Sequence, residues 1–362
     1  MGIRVRHQAR EVNIFLFAIG ARDRASSRLR VWDHVGPLAA QGNQVRVDSL
    51  VSVGANTLSA RLAARIAGRL PAWIANFFWA DAVVLQESLL LWPLALIKNL
   101  GKRRQIMFDF SDPVDRHGAG WKGRLRRTAF DMIVRHADVV MVENRSYIDL
   151  LRDRANVRAH FYGPIDASRY AAARARLAPR PASAPIRIGW TGSPGTYRFI
   201  APLMRIIDGI AKDHPIEVML IGVSAIDHVF RHAQLTLVPW NEDSEYTVVP
   251  SFDLGLFRLE DTEDAKWRGA GKLFIYMAAG VPFVASDFGI AHDLMVESQV
   301  GFGVADDAAW SSVLHCAITN HAARRSMVEQ SLTFADAHLS YDTYRRHLMT
   351  NLRVAPPQGF QP

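Results

Sequence analysis

The chain has 362 residues, 49% of them apolar and 22% charged, a balance that excludes disordered and collagen-like classes. At roughly 150 residues per domain, that length is most simply two domains. A single cysteine, Cys316, excludes a disulfide framework and any cysteine-based zinc site, and it fits a reducing compartment. The formal charge is +8, and of 43 basic residues six are lysine, which leaves 37 arginines. A surplus of guanidinium groups is compatible with phosphate recognition, because each pairs bidentately with phosphate oxygens; a genomic base-composition bias accounts for it at least as simply.

The longest apolar tract, 73–97, is broken by Asp81, Gln86 and Glu87, so no transmembrane helix is expected. Arg4, Arg6 and Arg10 precede the apolar run 14–19 and mimic a signal peptide. That run is short, however, and Ala21-Arg22-Asp23-Arg24 stands where a small-residue cleavage site would be, so a buried first strand is expected. Arg6 occupies the position at which a myristoylation signal needs Ser or Thr.

In chain order, 12–19, 45–51, 82–86, 105–110 and 138–142 read as strands, with helix-period stretches such as 30–41 and 58–69 between them. This alternation implies a parallel sheet covered on both faces. The segment "RARLAPRPASAP", 174–185, is rich in Arg, Ala and Pro and reads as a linker. The rhythm then restarts. Strands are expected at 186–190, 217–221, 235–237, 254–257 and 283–285, and helices at about 199–213, 272–279 and 341–353. The end, 355–362, is Pro-rich and expected to be disordered. The predicted organisation is an N-terminal Rossmann-like domain over 1–175, a linker over 176–185 and a second Rossmann-like domain over 186–335. A C-terminal helix over 336–354 is expected to return to the first domain. In such α/β pairs the carboxyl ends of the sheets form a ligand cleft.

Three glycine turns lie at strand ends. Gly20 leads to Ser26 and Ser27; Gly189 and Gly192 lie in "GWTGSPGT"; Gly280 separates a helix from a strand. Small residues after a strand let backbone amides approach a phosphate, though most such turns are simply tight turns. None matches GxGxxG or GxxxxGK[ST], which argues against a nicotinamide dehydrogenase and a P-loop NTPase. The segment 253–289 says more. Arg268 and Lys272 are four apart and flank Gly269-Ala270-Gly271 where a helix begins. Cations at a helix N-terminus are locally unfavourable unless an anion sits there, which points to a diphosphate. The plainer alternative is two solvated cations answered by Glu260, Asp261, Glu263 and Asp264.

With these pieces in place, the chain resembles the family 4 glycosyltransferases, bacterial enzymes of the GT-B fold that use nucleotide sugars. The resemblance spans nearly the whole sequence through "SSRLRVWDHVGPLAAQGNQVRV", "ADAVVLQES", "IMFDFSDPVD", "HADVVMVENRSYIDLL", "YGPIDASRY", "IRIGWTGSPGTYRFI", "FDLGLFRL" and "KLFIYMAAGVPFVAS". Each piece is weak alone; their order and spacing are specific. The resemblance implies an α/β fold of two doubly wound parallel-sheet domains facing across a cleft. It further implies transfer, with retention, of a sugar from a nucleoside diphosphate to a hydroxyl of a glycan or lipid-linked acceptor, as in surface polysaccharide or glycolipid synthesis. No metal and no cofactor beyond the donor co-substrate are implied.

On the resemblance, Lys272 and Arg268 stabilise the leaving diphosphate, and Gly192 and Ser193 supply backbone or hydroxyl contacts. Gly20 and Ser27 belong to the first glycine loop, and Glu87 is a further substrate-side residue. In "DFSDPVDRHG", Asp112 lies near acceptor or donor sugar, or else serves as turn chemistry, and His117 orients a hydroxyl. Arg28 and Arg30 differ in phase, so at most one need face the site. Many relatives carry two glutamates eight positions apart where this chain has Trp267 and Ile275. That departure leaves open altered donor contacts, a catalytically inactive homologue or, further off, a sugar epimerase.

Arg61, Arg65 and Arg69 recur at helical spacing before the aromatic stretch 73–79, a pattern that suits an anionic membrane surface. The alternative is a surface helix whose aromatic end packs into the core. A cytoplasmic protein, peripheral on the inner face of the membrane, is expected. No motif supports nucleic-acid binding.

Overall fold

The structure, a computed structural model, describes residues 11–51, 60–116, 118–181 and 183–352. It divides into two units. One holds the chain up to Pro164 together with the segment from Tyr341; the other is Ile165–Ser340.

In the first unit, β1 (Asn13–Gly20), β2 (Gln44–Val51), β3 (Ala82–Gln86), β4 (Gln105–Phe110), β5 (Val139–Val142) and β6 (Arg158–His160) form one sheet. The order is β2-β1-β3-β4-β5-β6, and every pairing is parallel. In the second, β7 (Ile186–Thr191), β8 (Ile216–Ile221), β9 (Gln234–Val238), β10 (Leu254–Phe257), β11 (Phe283–Ser286) and β12 (Phe302–Val304) pair in the order β12-β11-β10-β7-β8-β9, again all parallel. Helices cover both faces of each sheet. This is why strands such as β3 ("AVVLQ") and β11 ("FVAS") are buried throughout and read as apolar runs rather than alternations.

Strand order fixes where each unit can bind a ligand. In the first, strand order reverses between β1 and β3; in the second, between β7 and β10. Crevices open at the carboxyl ends of such strand pairs. Gly20 and Glu87 therefore stand at the first switch point, and Gly192 at the second.

Several elements depart from the sequence reading for local reasons. The single helix predicted over 30–41 is instead a helix Ala25–Arg30, a 3-10 turn Trp32–His34 and a helix Val35–Ala40. Pro37 lacks the N–H that would bond back one turn, and the turn before it tightens. The helix predicted over 58–69, whose first two residues lie outside the described residues, runs as Ala60–Trp79 straight through Pro71. Beyond the proline, Trp73 and Phe77 lie one turn apart and are both fully buried, which holds the helix to the core. Strands β6 and β12 escaped prediction because each is only three residues long.

The 176–185 stretch, predicted as a linker, lies inside the second unit, as does the helix Ala167–Arg174 before it. Arg174 donates to the carbonyls of Ala279 and Gly280, and Arg180 pairs with Asp253 at 2.7 Å, which ties the stretch to that unit. The last helix, Tyr341–Asn351, buries Tyr344, Leu348 and Met349 in the first unit's core. The expected tail 355–362 lies outside the described residues.

A buried ion cluster pins that helix. Arg30 bonds Asp109 and Glu143 at 2.5 Å each, all three almost wholly buried, and Tyr344 donates its hydroxyl to Asp109 at 3.0 Å. Burial opposes the charge on Arg30, but the two carboxylates outweigh it and keep the guanidinium protonated. Removing one member of such a cluster costs about 3–5 kcal/mol, because it strands an uncompensated charge in the core.

Candidate functional site

The predicted site residues fall into two groups, one in each unit. In the second unit, β7 ends at Thr191 and the chain turns through Gly192 and Ser193 into the short helix Pro194–Tyr197. Gly192 does not offer its amide, which already donates to the Ile221 carbonyl at the end of β8 (3.0 Å). Its contribution is the missing side chain. A Cβ there would lie 2.5 Å from the Trp190 ring and 2.9 Å from Lys272 Cε. Gly222, at φ +96°, approaches even more closely: a Cβ there would meet the Gly192 carbonyl oxygen at 2.1 Å. Two glycines thus let the β7 and β8 ends touch and leave room for a lysine. Ser193 is exposed, and its hydroxyl lies 3.4 Å from that of Thr196.

Lys272 occupies the first turn of the helix Gly271–Ala278, which carries no acidic residue in that turn. Its Nζ sits over the Trp190 ring at 5.5 Å from the centroid. Arg268, just before the helix, sits over the Phe199 ring at 5.5 Å. Trp190 and Phe199 flank the "TGSPGTYR" loop at its two ends. Two cations and the glycine loop are thereby gathered at the switch point, each cation steadied by the negative face of a ring. The basic pair was legible in the sequence; the rings beneath it were not, because nothing in a linear pattern links residue 190 to residue 272. Thr191 was also missed. It is buried, and its hydroxyl makes no hydrogen bond among the described residues.

Trp267 and Ile275, where the resemblance implies glutamates, make other contacts. Ile275 is buried in the core, and the Trp267 indole donates to Glu263 at 3.2 Å. Glu263 also faces Lys266, whereas Glu260, Asp261 and Asp264 are exposed.

In the first unit the polar residues at the β1 and β3 ends are mostly buried. Ser27 is fully buried; its hydroxyl accepts from the Gly20 amide and donates to Gln86, both at 3.0 Å. Ser27 therefore braces the Gly20 turn, and its expected contact with substrate gives way to that role. Arg28 and Arg30 are both buried, at 2% and 3% exposure, and Arg30 is taken up by the ion cluster. In "DFSDPVDRHG", Asp109 serves the ion cluster, and Asp115 accepts from Tyr147 at 2.7 Å. That leaves Asp112, exposed and adjacent to Glu87. His117 lies outside the described residues. No cluster of three His, Cys, Asp or Glu arranged to hold a metal occurs among the described residues.

Glu87 is the strained residue of this group. It follows β3 with φ +53°, a left-handed conformation that costs a non-glycine residue about 1–2 kcal/mol. It is buried, accepts from Ser111 at 2.5 Å, and receives a longer bond from Ser26. Burial above all, and then the neighbouring Asp112 carboxylate, push its pKa above the ordinary carboxyl range, against the pull of Ser111, Arg30 and Arg24. A carboxyl biased toward its neutral form by burial gains a hydrogen-bond donor, which a carboxylate lacks.

No family model matches the chain, and no curated protein sequence matches it. Solved structures do. A sucrose-phosphate synthase from Thermosynechococcus elongatus superposes with a TM-score of 0.67 at 13% identity, over 94% of this chain and 98% of that one. HepE from Anabaena, in complex with UDP and glucose, gives 0.67 at 12% identity over 94% and 100%. WaaG, a glycosyltransferase involved in lipopolysaccharide biosynthesis, gives 0.61 at 14% identity over 93% and 99%. The chain has the GT-B fold of these glycosyltransferases. At such identities the likeness speaks for the fold.

The raised pKa of Glu87 has a thermodynamic consequence. Folding favours its neutral form, so stability is unaffected below the unfolded carboxyl pKa and falls as pH rises through the folded value. Glu87→Gln removes the titration. The melting temperature of the variant, relative to the native chain, is expected to rise across the pH range above the ordinary carboxyl pKa of about 4.3. A difference that stays constant across that range contradicts the assignment.

Proposed function

We propose that this protein is a retaining glycosyltransferase that moves a sugar from a nucleoside-diphosphate sugar to a hydroxyl of a glycan or lipid-linked acceptor. The observation that carries the reading is the meeting of Lys272, Arg268 and the Gly192–Ser193 turn at the β7/β10 switch point. As the glycosidic C–O bond breaks, negative charge grows on the departing diphosphate. Lys272 and Arg268 stabilise that charge, with the N-terminus of Gly271–Ala278 behind them, and so favour the transition state over the bound donor. The two cations then take the part a divalent ion plays elsewhere, so the transfer needs no catalytic metal. The neighbours crystallised with UDP or UDP-glucose support a nucleotide sugar as donor.

In this reading the acceptor hydroxyl is met on the first unit. Glu87 and Asp112 orient it and Glu87 receives or lends its proton. With Trp267 and Ile275 in place of glutamates, contacts to the donor sugar fall to the exposed carboxylates of 260–264. That same departure favours a second reading, a non-catalytic homologue that binds a glycan or a partner transferase. The two are separated by whether any nucleoside diphosphate is released.

A lipid-linked acceptor requires an approach to the membrane. The aromatic stretch first considered for it is unsuitable, since Trp73 and Phe77 are fully buried. No described helix is long and apolar enough to cross a membrane. A better surface lies on the helix Gly120–His136, where Trp121 and Leu125 are 65% and 56% exposed, one turn apart, among Lys122, Arg124, Arg126 and Arg127. Leu96, Ile97 and Leu100 are exposed in and just after the helix Trp92–Leu96, which packs against it. Apolar side chains ringed by cations fit an anionic leaflet.

Two outcomes test the proposal. In a panel of nucleotide sugars one donor is expected to raise the melting temperature, and Lys272→Ala is expected to lower its turnover about 10²–10³-fold with little change in stability. Unchanged turnover in that variant rejects the site. The double variant Trp121→Ala, Leu125→Ala is expected to lose most sedimentation with vesicles containing phosphatidylglycerol. Retention of full binding rejects the membrane surface while leaving the transfer chemistry intact.

A further inference from the structure

The second unit has another groove, at the opposite end of its sheet from Lys272. Its floor is the amino ends of the strands: Arg187 is the second residue of β7, Asp253 immediately precedes β10, and Pro282 immediately precedes β11. One wall is the 174–181 segment, stiffened by Pro179 and Pro181; the other is the first two turns of the helix His321–Phe334. The volume is about 660 Å³, within the range of small-molecule sites.

Its lining is strongly cationic. Arg174, Arg180, Arg187, Arg324 and Arg325 face it against a single carboxylate, Asp253. That carboxylate is already engaged, accepting from Arg180 at 2.7 Å and from the Arg187 amide at 2.8 Å. Arg187 also binds Glu217 at 2.8 Å. Arg174 and Arg324, by contrast, hold their side chains in place by bonds to main-chain carbonyls, of Ala279 and Gly280 for the first and of Ala317 and Ile318 for the second. Carbonyl bonds orient a guanidinium without neutralising it. Burial lowers the pKa of both groups; at Arg324 the attraction of Asp253 opposes this and the repulsion of Arg325 adds to it.

The helix contributes to the same imbalance. His321, Arg324, Arg325 and Val328 recur at three- and four-residue spacing and so share one face, the face that lines the groove. The opening of this helix carries no acid, yet holds two arginines. Arg324 is answered by the carboxyl end of the preceding helix, Trp310–Thr319, through the Ala317 and Ile318 carbonyls, whereas the exposed Arg325 stands near the positive end of this helix, where a cation is unfavourable without an anion. Three features thus converge: an open groove of small-molecule volume, an excess of guanidinium groups over carboxylates in its lining, and a helix opening beside it.

We propose that this groove is a second binding site, for a small anion carrying two or more phosphoryl groups, separate from the diphosphate site at the carboxyl end of the sheet. Guanidinium forks match phosphate oxygens in geometry, and several of them in one groove favour a multiply charged ligand over a single carboxylate. Arg174 and Arg180 of "RARLAPRPASAP" then have a role that a linker would not give them.

Titration calorimetry of the full chain with sodium tripolyphosphate tests this, at ionic strength held constant with NaCl. The Lys272→Ala background disables the other anion site. Binding is expected to persist in Lys272→Ala, and to weaken about tenfold or more when Arg325→Glu or Arg174→Gln is added. Should Arg325→Glu fail to fold by circular dichroism, Arg325→Ala and Arg174→Gln carry the same test. Loss of all binding in Lys272→Ala overturns the proposal, as does unchanged affinity in the arginine variants. Arginine-dependent binding to phosphatidylglycerol vesicles without any binding of tripolyphosphate also overturns it, by assigning the groove to a lipid surface.

Discussion

The account depends on one close approach. Gly192 and Gly222 bring the ends of β7 and β8 into contact that no side chain would permit, and the space left above Trp190 holds Lys272. A lysine at the start of a helix is placed against the local field. The ring beneath it returns part of that cost, and an anion would return the rest. Positive charge held in place before the ligand arrives is what electrostatic catalysis requires, since little reorganisation is left for the moment of bond breaking.

The first unit is organised differently. Its switch point carries fixed, buried polar groups, with the exposed Arg24 beside Gly20 and Glu87. Ser27 and Gln86 lock the Gly20 turn, and Arg30 joins Asp109 to Glu143 beneath the last helix. Against this rigid base Glu87 is held in a left-handed backbone conformation with its carboxyl biased toward the neutral form. Strain of this kind persists only where the surroundings over-determine it, and it often marks a working residue.

Much of the fold was legible because parallel sheets bury both faces, so strands such as β3 and β4 appear as plain apolar runs between helical patterns. The misread elements share a cause: local signals overridden by tertiary packing. Pro71 signals a helix end, but Trp73 and Phe77 hold the helix to the core. The proline-rich 176–185 stretch signals a linker, but Arg180 and Asp253 fasten it to the second unit. At the site, Lys272 and Arg268 were legible because a basic pair at a helix start is physically odd. The bracing bonds of Ser27 were not legible, because a serine after a glycine turn looks alike whether it faces a ligand or braces the turn. Trp190, Phe199 and the groove arginines were invisible for a simpler reason. Their meaning lies in contacts between segments tens of residues apart.

The most direct measurement is a crystal structure of the protein with its preferred nucleoside diphosphate bound. The account predicts the diphosphate oxygens within hydrogen-bonding distance of Lys272 Nζ and the Arg268 guanidinium, beside the Gly192–Ser193 turn. A nucleotide bound elsewhere, with Lys272 still lying over Trp190 and touching no phosphate, would contradict it.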